Sequence, residues 1–532
     1  MAHDDLLVAA KGGGAVFAGR LFAWGSRFVL AILLARVLGA DDYGLYTLAL
    51  TIATVGSSFA ILGLDAALVR FGAVFAGRGD RAGLRGTIRI GVLVPAAISV
   101  GMGIAFVVAS DWIATTIVGQ PAVAPLLRVV GVLVPALVLN QQLAATLQGM
   151  RRIHQAVIAE QFAQQTLRFV LLLGLTLIGL TAETALVAST IAAFGVTFVL
   201  LWFVRRATPR RDVAVPAEHR PGMLMRFSLP VYFSNVVNTL GGNLQTLFLG
   251  AMASLTAVGI FSVAAHIQLI GSIFHSAVVS SSMPVFAALH DRGDRAGMTR
   301  LYQTTSRWTL TLNLPFFLAA LIFPQFLLAI FGKEFEAGAT ALVILACGNL
   351  LNAATGSSGA VLDMSGYTIV KLLNATISVG LAIALNLLLI PSFGIIGAAI
   401  AAASAVGIVN LLRVVQVRIL VGVSPYNRDF LKPIVAGFAA AAATLVVGVL
   451  MQPLAGWVQA GIGLLVLAGV YTGTIIALGI TDDDRLVLDR VMRKLSRRGR
   501  RDREERRAAR DKDKDVDRVA AAPASGERAQ LP

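Results

Sequence analysis

Arg27 and Arg20 stand seven residues apart in an otherwise apolar run, so on a helix of 3.6 residues per turn they share one face. A guanidinium inside such a run is expensive in lipid. It either snorkels to the headgroups, the simpler account of Arg20, or faces a wet cavity, the account that Arg27's deeper position favours. Arg128 and Arg168 fall inside later apolar runs, and Arg307 in one further along. Glu160, Gln164 and Arg168 follow one another at intervals of four and form a polar stripe on one helix. Such a stripe serves either to hydrogen-bond a sugar's hydroxyls or to pack across a bundle. Asn235, Asn238 and His266 then supply amides and an imidazole. Arginine in the first half and amides in the second favour an anionic, hydroxyl-rich cargo over a cationic one. Few acidic residues lie deep in the chain, which argues against a carboxylate pair for sodium or protons.

Covalent chemistry has no comparable set of residues. No Gly-rich phosphate loop ending in Lys-Ser or Lys-Thr occurs, so the chain is not its own ATPase. Neither a His-Glu-x-x-His run nor a cysteine cluster offers a metal or redox centre, and Cys347 is the single cysteine. The expectation is binding with conformational exchange, without catalytic residues, metal or cofactor.

The elements that must carry these residues are membrane helices. With 57% hydrophobic and only 14% charged residues and a mean hydropathy of +0.78, no soluble core could hide the apolar surface. Apolar segments at 14–36, 43–69, 87–110, 121–148, 156–180, 183–204, 226–250, 256–286, 304–331, 337–362, 368–390, 396–420, 431–452 and 457–480 each have room to cross a bilayer core. Only helices satisfy their backbone there without edges, so the chain is read as an all-α polytopic protein of fourteen transmembrane helices. The net charge of +16 gathers in alternate connectors. Arg70 to Arg89, Arg151 and Arg152, Arg205 to Arg220, Arg292 to Arg300, Lys371, and Arg413 to Lys432 all fall on one side, which places both termini in the cytoplasm. The first helix is expected to do the targeting, with no removable signal peptide.

The connector GRGDRAGL at 77–84 returns as DRGDRAGM at 291–298, an offset of 214 residues, and Tyr43-Gly44-Leu45-Tyr46 matches Val258-Gly259-Ile260-Phe261 at 215. A six-helix unit duplicated in this way enters the membrane from the same face twice and leaves a cavity between two bundles, an alternating-access layout. The expected domains are an N-terminal lobe at 1–204, a cytoplasmic linker at 205–225 and a C-terminal lobe at 226–420. Two extra helices follow at 421–480, and a basic, partly disordered tail at 481–532. The start of that tail could form an amphipathic helix lying in the inner interface. Membrane-surface anchoring and topology setting explain its charge, and no role with nucleic acid is expected.

The stretch ARVLGADDYGLYTLALTI at 35–52, with LGLDAALVRF at 62–71 and LNQQLAATLQGMRR at 139–152, resembles the Wzx-type polysaccharide and O-antigen flippases, within the superfamily of multidrug, oligosaccharidyl-lipid and polysaccharide exporters. The resemblance implies a flippase that carries a polyprenyl-diphosphate-linked oligosaccharide across the cytoplasmic membrane, with cavity arginines receiving the diphosphate. It implies a monomer working beside a polysaccharide polymerase and glycosyltransferases. Related lipid II flippases resemble it in architecture and use arginines of the first helix, where Arg27 falls, though its Ser26-Arg27-Phe28 context departs from their arginine-aspartate pairing. A lipid II flippase and a cation-coupled multidrug exporter are the alternatives. Tyr43 to Tyr46 marks the family and is expected to shape the turn into the second helix.

Overall fold

The computed structural model describes residues 22–177, 179–208, 216–451 and 456–479, together with the helical backbone of residues 2–21. The linker residues 209–215 and the tail beyond 479 lie outside the described residues, as does the side chain of Arg20. No strand occurs among the described residues. Nine helices among them are long and apolar enough to cross a membrane, and the protein is an integral, multi-pass membrane protein.

Two of these helices are too long to be one crossing. α1 (Ala2–Ile61) has 60 residues and would span about 90 Å if straight, three times a hydrocarbon core. It is broken at Gly39, whose φ of 74° an L side chain rarely adopts, so residues 2–38 and 40–61 are two arms. After a second break at Leu62 and Gly63 the chain continues as α2 (Leu64–Arg78), followed by α3 (Arg81–Val108) and α4 (Ala124–Gly149). α5 (Ile153–Val157) runs through a π-helical turn at Ile158–Ala163 into α6 (Gln164–Thr176), and α7 (Ala182–Ala207) closes the first half.

The second half follows the same order: α8 (Pro221–Met252), α9 (Leu255–Asp291), α10 (Arg295–Ile322), the short α11 (Pro324–Ala329), α12 (Ala339–Thr355) and α13 (Ser358–Met364). α14 (Thr368–Leu420) has 53 residues and is broken at Gly394 (φ 50°), again giving two arms. α15 (Leu431–Leu450) and α16 (Gly456–Ala477) pack on each other and on α10. α8 starts at Pro221, earlier than the apolar pattern suggests, and the end of the linker is packed: Glu218 N–H donates to Ala82 O at 3.1 Å.

The duplication is visible in individual bonds. Asp80 caps α3 by accepting Gly83 N–H at 2.9 Å, and Asp294 caps α10 by accepting Gly297 N–H at 2.8 Å, each after a glycine at φ 69° and 67°. Asn140 on α4 bonds α7 through Ala193 O and Thr197, while Asn352 on α12 accepts from Asn410 of α14 at 2.9 Å. The halves meet where Gly44 of α1 crosses Gly259 of α9. A Cβ on Gly44 would overlap Leu255 O, and a Cβ on Gly259 would overlap Ala40 O, four residues earlier in each helix. The contact is therefore its own mirror under the 215-residue offset.

That crossing leaves no space for a side chain at either glycine. Gly44→Ala is expected to lower stability by about 1–3 kcal/mol, an overpacking cost, whereas Gly77→Ala, with nothing within 4 Å of the added carbon, should stay within about 0.5 kcal/mol of the parent or gain slightly. Thermal melting of the two purified variants in one detergent checks the contrast.

Candidate functional site

Arg168 of α6 is the hub of a polar cluster where the halves face each other. Its guanidinium lies 5.8 Å from the ring centroid of Tyr46 and donates to the Tyr46 hydroxyl, which shares a 3.0 Å hydrogen bond with Ser189 of α7. Arg168 Nε is buried without a partner, and beside it Gln165 Oε1 is unpaired too. Arg27 on the first arm of α1 is close enough to Arg168 and to Glu160 to interact with the charge of each, and Arg168 acts likewise on Tyr43 and on His266 of α9. The cluster thus holds two guanidiniums against one carboxyl, with a ring from the other half completing it.

Local structure explains how they converge. Arg27 lies twelve residues before the Gly39 break, about 18 Å along the helix, and is exposed on the protein surface. A guanidinium among lipid tails costs several kcal/mol, so the expectation for this position is contact with water. Glu160 sits in the π-helical turn, where one extra residue per turn shifts the face that the stripe presents. His266 Nδ1–H donates to Ser262 O at 2.6 Å, which leaves Nε2 as the free ring atom.

The end of the cluster towards the Asp41-Asp42 turn is closed by contacts between the halves. Arg36 Nε–H donates to Ile330 O at 2.8 Å, Ala40 N–H donates to Glu334 Oε2 at 2.9 Å, and Thr256 Oγ1–H donates to Asp41 Oδ1 at 2.9 Å. Phe28 meets Phe331 edge-on at 5.5 Å, and Tyr43 meets Phe335 at 6.1 Å. At the basic end, Arg70 stacks over Phe227 at 4.6 Å, and Gly63 lets the backbone of Ser228 approach.

Other residues singled out in the sequence lie elsewhere. Arg128 starts α4 at the far end from the basic connectors and is exposed, paired with Asp111 at 3.1 Å and with Ser110 at 3.2 Å. Arg307 is buried within α10. Gln164 is half-buried on α6 one turn from Arg168. Asp65 accepts from Gln141 Nε2 at 3.0 Å. Asn238 lines a second space, a cavity of about 430 Å³ inside the second half, with Gln245, Gln268 and Arg413. Asn235 is exposed on the same helix, α8.

Two contributors escape the sequence pattern. Tyr46 binds Arg168, a role its place in the turn motif does not suggest, though a tyrosine at the seventh residue of a membrane arm is itself a signal. Arg413, counted among the loop charges, sits on the second arm of α14 and bonds Asn410 Oδ1 at 3.2 Å. Hydropathy cannot separate an arginine near a helix end that snorkels outward from one that points into the bundle.

The described residues form a duplicated helical membrane fold, and that fold is shared with solved membrane transporters. A structure of the lipid II flippase MurJ in an inward closed conformation superposes with a TM-score of 0.69, 15% identity, and coverage of 87% of this chain and 98% of that one. An inward-facing multidrug resistance MATE family transporter of the MOP superfamily gives 0.62, 15%, 75% and 94%. The chain itself belongs to the family described as "Polysaccharide biosynthesis protein", whose profile matches residues 9–290. It is also similar to the probable low-salt glycan biosynthesis flippase Agl15 of Haloferax volcanii, at 27% identity over 239 residues, 44% of this chain. That match spans about half (49%) of the relative's length.

The expectation that Arg27 faces water is directly measurable. In a Cys347→Ser background, Arg27→Cys should react with a small charged thiol reagent about tenfold or more faster than the buried Arg307→Cys. Equal protection of both would place Arg27 against protein or lipid.

Proposed function

We propose that this protein is a flippase that carries a polyprenyl-diphosphate-linked oligosaccharide, a polysaccharide repeat unit, across the cytoplasmic membrane by alternating access, without covalent chemistry. The observation that carries the reading is the pairing of Arg27 and Arg168 against the single carboxyl of Glu160 between the halves. Two guanidiniums match a diphosphate, whose oxygens accept charge-assisted hydrogen bonds, and Gln164, Tyr46, Ser189 and His266 offer groups for sugar hydroxyls. The polyprenyl tail stays in lipid while the headgroup, too costly to desolvate in hydrocarbon, crosses the wet space. Family membership and the similarity to a glycan biosynthesis flippase support the same cargo class.

On this reading the chain makes fourteen crossings, counting each arm of α1 and α14, with both termini in the cytoplasm. Residues 1–204 and 226–420 form the two moving lobes, joined by 205–225; residues 421–480 form the added pair, and 481–532 is a basic tail. The contacts of Arg36, Ala40 and Thr256 then close the outer side, so the cluster is reached from the cytoplasm. The protein works as a monomer beside a polymerase and the glycosyltransferases that build its cargo.

Transport should depend on Arg27 and not on Arg128. With expression held constant, Arg27→Ala should cut appearance of the glycolipid headgroup on the outer leaflet about 10- to 100-fold, the worth of one hydrogen bond to a charged group. Arg128→Ala should leave it within about twofold, because its exposed pair with Asp111 contributes little. Leaflet-resolved glycolipid labelling reads both. Unimpaired flipping in Arg27→Ala sinks the assignment of the cluster, and a peptidoglycan precursor trapped inside on loss of the protein would substitute the lipid II reading.

A further inference from the structure

The place that Arg27, Tyr46 and Arg168 occupy in the first half has a counterpart in the second, and there it is open space. The crossing of Gly44 and Gly259 pairs Arg27 with Gly242 and Tyr46 with Phe261, an offset of 215 residues. The left-handed turns at Arg151 (φ 61°) and Gly366 (φ 85°), which precede α5 and α14, repeat that offset, and the extra residue of the π-helical turn lowers it to 214 beyond Ala163. Gln164 then falls on Ser378 and Arg168 on Ala382. Gly242, Phe261, Ser378 and Ala382 all line the cavity of about 430 Å³ between α8, α9, α12 and α14. One copy of the duplicated unit fills this place with guanidiniums and a phenol, and the other leaves a cavity of the size that small ligands occupy.

That cavity is polar. Asn238 and Gln245 of α8, Gln268 of α9 and Ser378 of α14 line it, and among the described residues their side chains have no hydrogen-bond partner. Amides of the same half that meet protein are paired, Asn374 with Gln416 and Asn352 with Asn410. No carboxylate is among the described residues that line the space. Arg413 stands at one end, two turns beyond Val406 on the same arm of α14. The bonds from Thr197 to Asn140 and from Asn410 to Asn352 are equivalent at an offset of 213, so Arg413 falls on Leu200, which is closed in an apolar cluster with Leu143, Leu147 and Val196. Arg413 donates to Asn410 Oδ1 at 3.2 Å, and the nearby carboxylate that acts on it, Asp363, is already paired with Lys371 at 2.8 Å. A half-buried guanidinium thus ends a pocket of free amides.

From this exchange we infer that the second-half cavity is a subsite for an acidic sugar of the cargo, a hydroxyl-rich ring whose carboxylate meets Arg413. Amides and a serine hydroxyl both donate to and accept from ring hydroxyls, and a guanidinium grips a carboxylate with two parallel N–H groups. A neutral ring leaves that guanidinium without its match, and a cationic guest is repelled by it. The cavity adjoins the charged cluster across α9: Ala265, Gln268 and Leu269 line it, while His266 among them feels the charge of Arg168. A headgroup held at Arg27 and Arg168 has the cavity one helix away for its further sugars. The inference rests on the flippase reading and names the chemical class of glycan that reading leaves open.

The probes are three short-chain prenyl diphosphates, one bare, one carrying a disaccharide of two glucoses and one carrying glucose and glucuronate. Each is titrated into the full chain in detergent, with retention read by native mass spectrometry. Wild type should hold the glucuronate form about tenfold more tightly than the glucose form, the effect of one hydrogen-bonded charge. Arg413→Gln should bring that ratio to about one, and Arg413→Lys, which keeps the charge and loses the fork, should leave it in between. Arg418→Gln removes a charge from the exposed end of the same arm and should keep the ratio. Gly242→Leu, which puts a side chain into the open space, should reduce both saccharides to the retention of the bare diphosphate. Equal retention of the two saccharides by wild type, or a preference that survives Arg413→Gln, would overturn the proposal. Failure of the flippase reading has a different signature, a bare diphosphate that is not retained or that Arg27→Ala retains equally. The cavity is then decided by methyl glucuronide alone, which should slow thiol labelling of Asn238→Cys in a Cys347→Ser background where methyl glucoside at the same concentration does not. Equal labelling with the two glycosides overturns the subsite.

Discussion

The backbone crossing of Gly44 and Gly259 fixes what the rest of this structure can do. Each glycine lies under a carbonyl four residues before its partner, so neither helix can shift by a residue without driving a Cβ into backbone. The contact is nearly isologous, as between subunits of a twofold dimer, because equivalent residues of the two halves meet each other. Everything at that level is set by it: Ala40 N–H meets Glu334, Thr256 meets Asp41, and Tyr43 meets Phe335. One turn beyond, Tyr46 is carried to Arg168 and Ser189. A crossing with so little side-chain interdigitation is also one about which two bundles can turn, since small interfacial residues allow close approach without locking knobs into holes.

The backbone is duplicated, but the electrostatics are not. At the 215-residue offset Tyr46 is replaced by Phe261 and Arg27 by Gly242, so the hydroxyl and guanidinium of the first half have no counterparts. The second half offers paired amides instead: Asn374 and Gln416 exchange two hydrogen bonds at 2.7 and 3.0 Å, and Asn410 links Asn352 to Arg413. A satisfied amide pair is a neutral structural joint that specifies packing at little electrostatic cost. The charged determinants are thus concentrated on α1 and α6 and the rigid amide joints on the facing half.

Much of this was legible in the sequence. Hydropathy located the long apolar helices, because length and apolar density are dictated by the bilayer rather than by tertiary context. The RGDRAG connectors reported the duplication because a capping aspartate after a left-handed glycine is a local requirement met twice. The sequence singles out Arg27 by its depth, Glu160 and Arg168 as members of one polar stripe and His266 as an imidazole in an apolar run; in the structure Arg27 acts on Arg168 and Glu160, and Arg168 on His266. What could not be read was which polar residues point the same way. Arg128 and Arg168 both fall inside apolar runs, yet Arg128 belongs to a helix start with its own aspartate at hand. The π-helical turn that redirects Glu160 has no signature in a single sequence, since it depends on how α6 must meet α1 and α7.

The cluster's charge imbalance has a mechanical consequence. Arg27 and Arg168 repel each other, and Glu160 offsets only one of them, so the space between the halves holds excess positive charge in surroundings that screen it poorly. Closing that space around nothing removes water from two unmatched guanidiniums. Closing it around a dianionic headgroup replaces the water with matched oxygens. On the proposed reading, the cost of closing empty is what ties movement of the halves to occupancy: the free protein rests open to the side from which cargo arrives, and the bound anion lowers the barrier to the crossing. His266 of α9, on the facing half, is near enough to Arg168 to feel its charge. On the proposed reading its contact with the cargo is made or broken by the same motion that opens the other face.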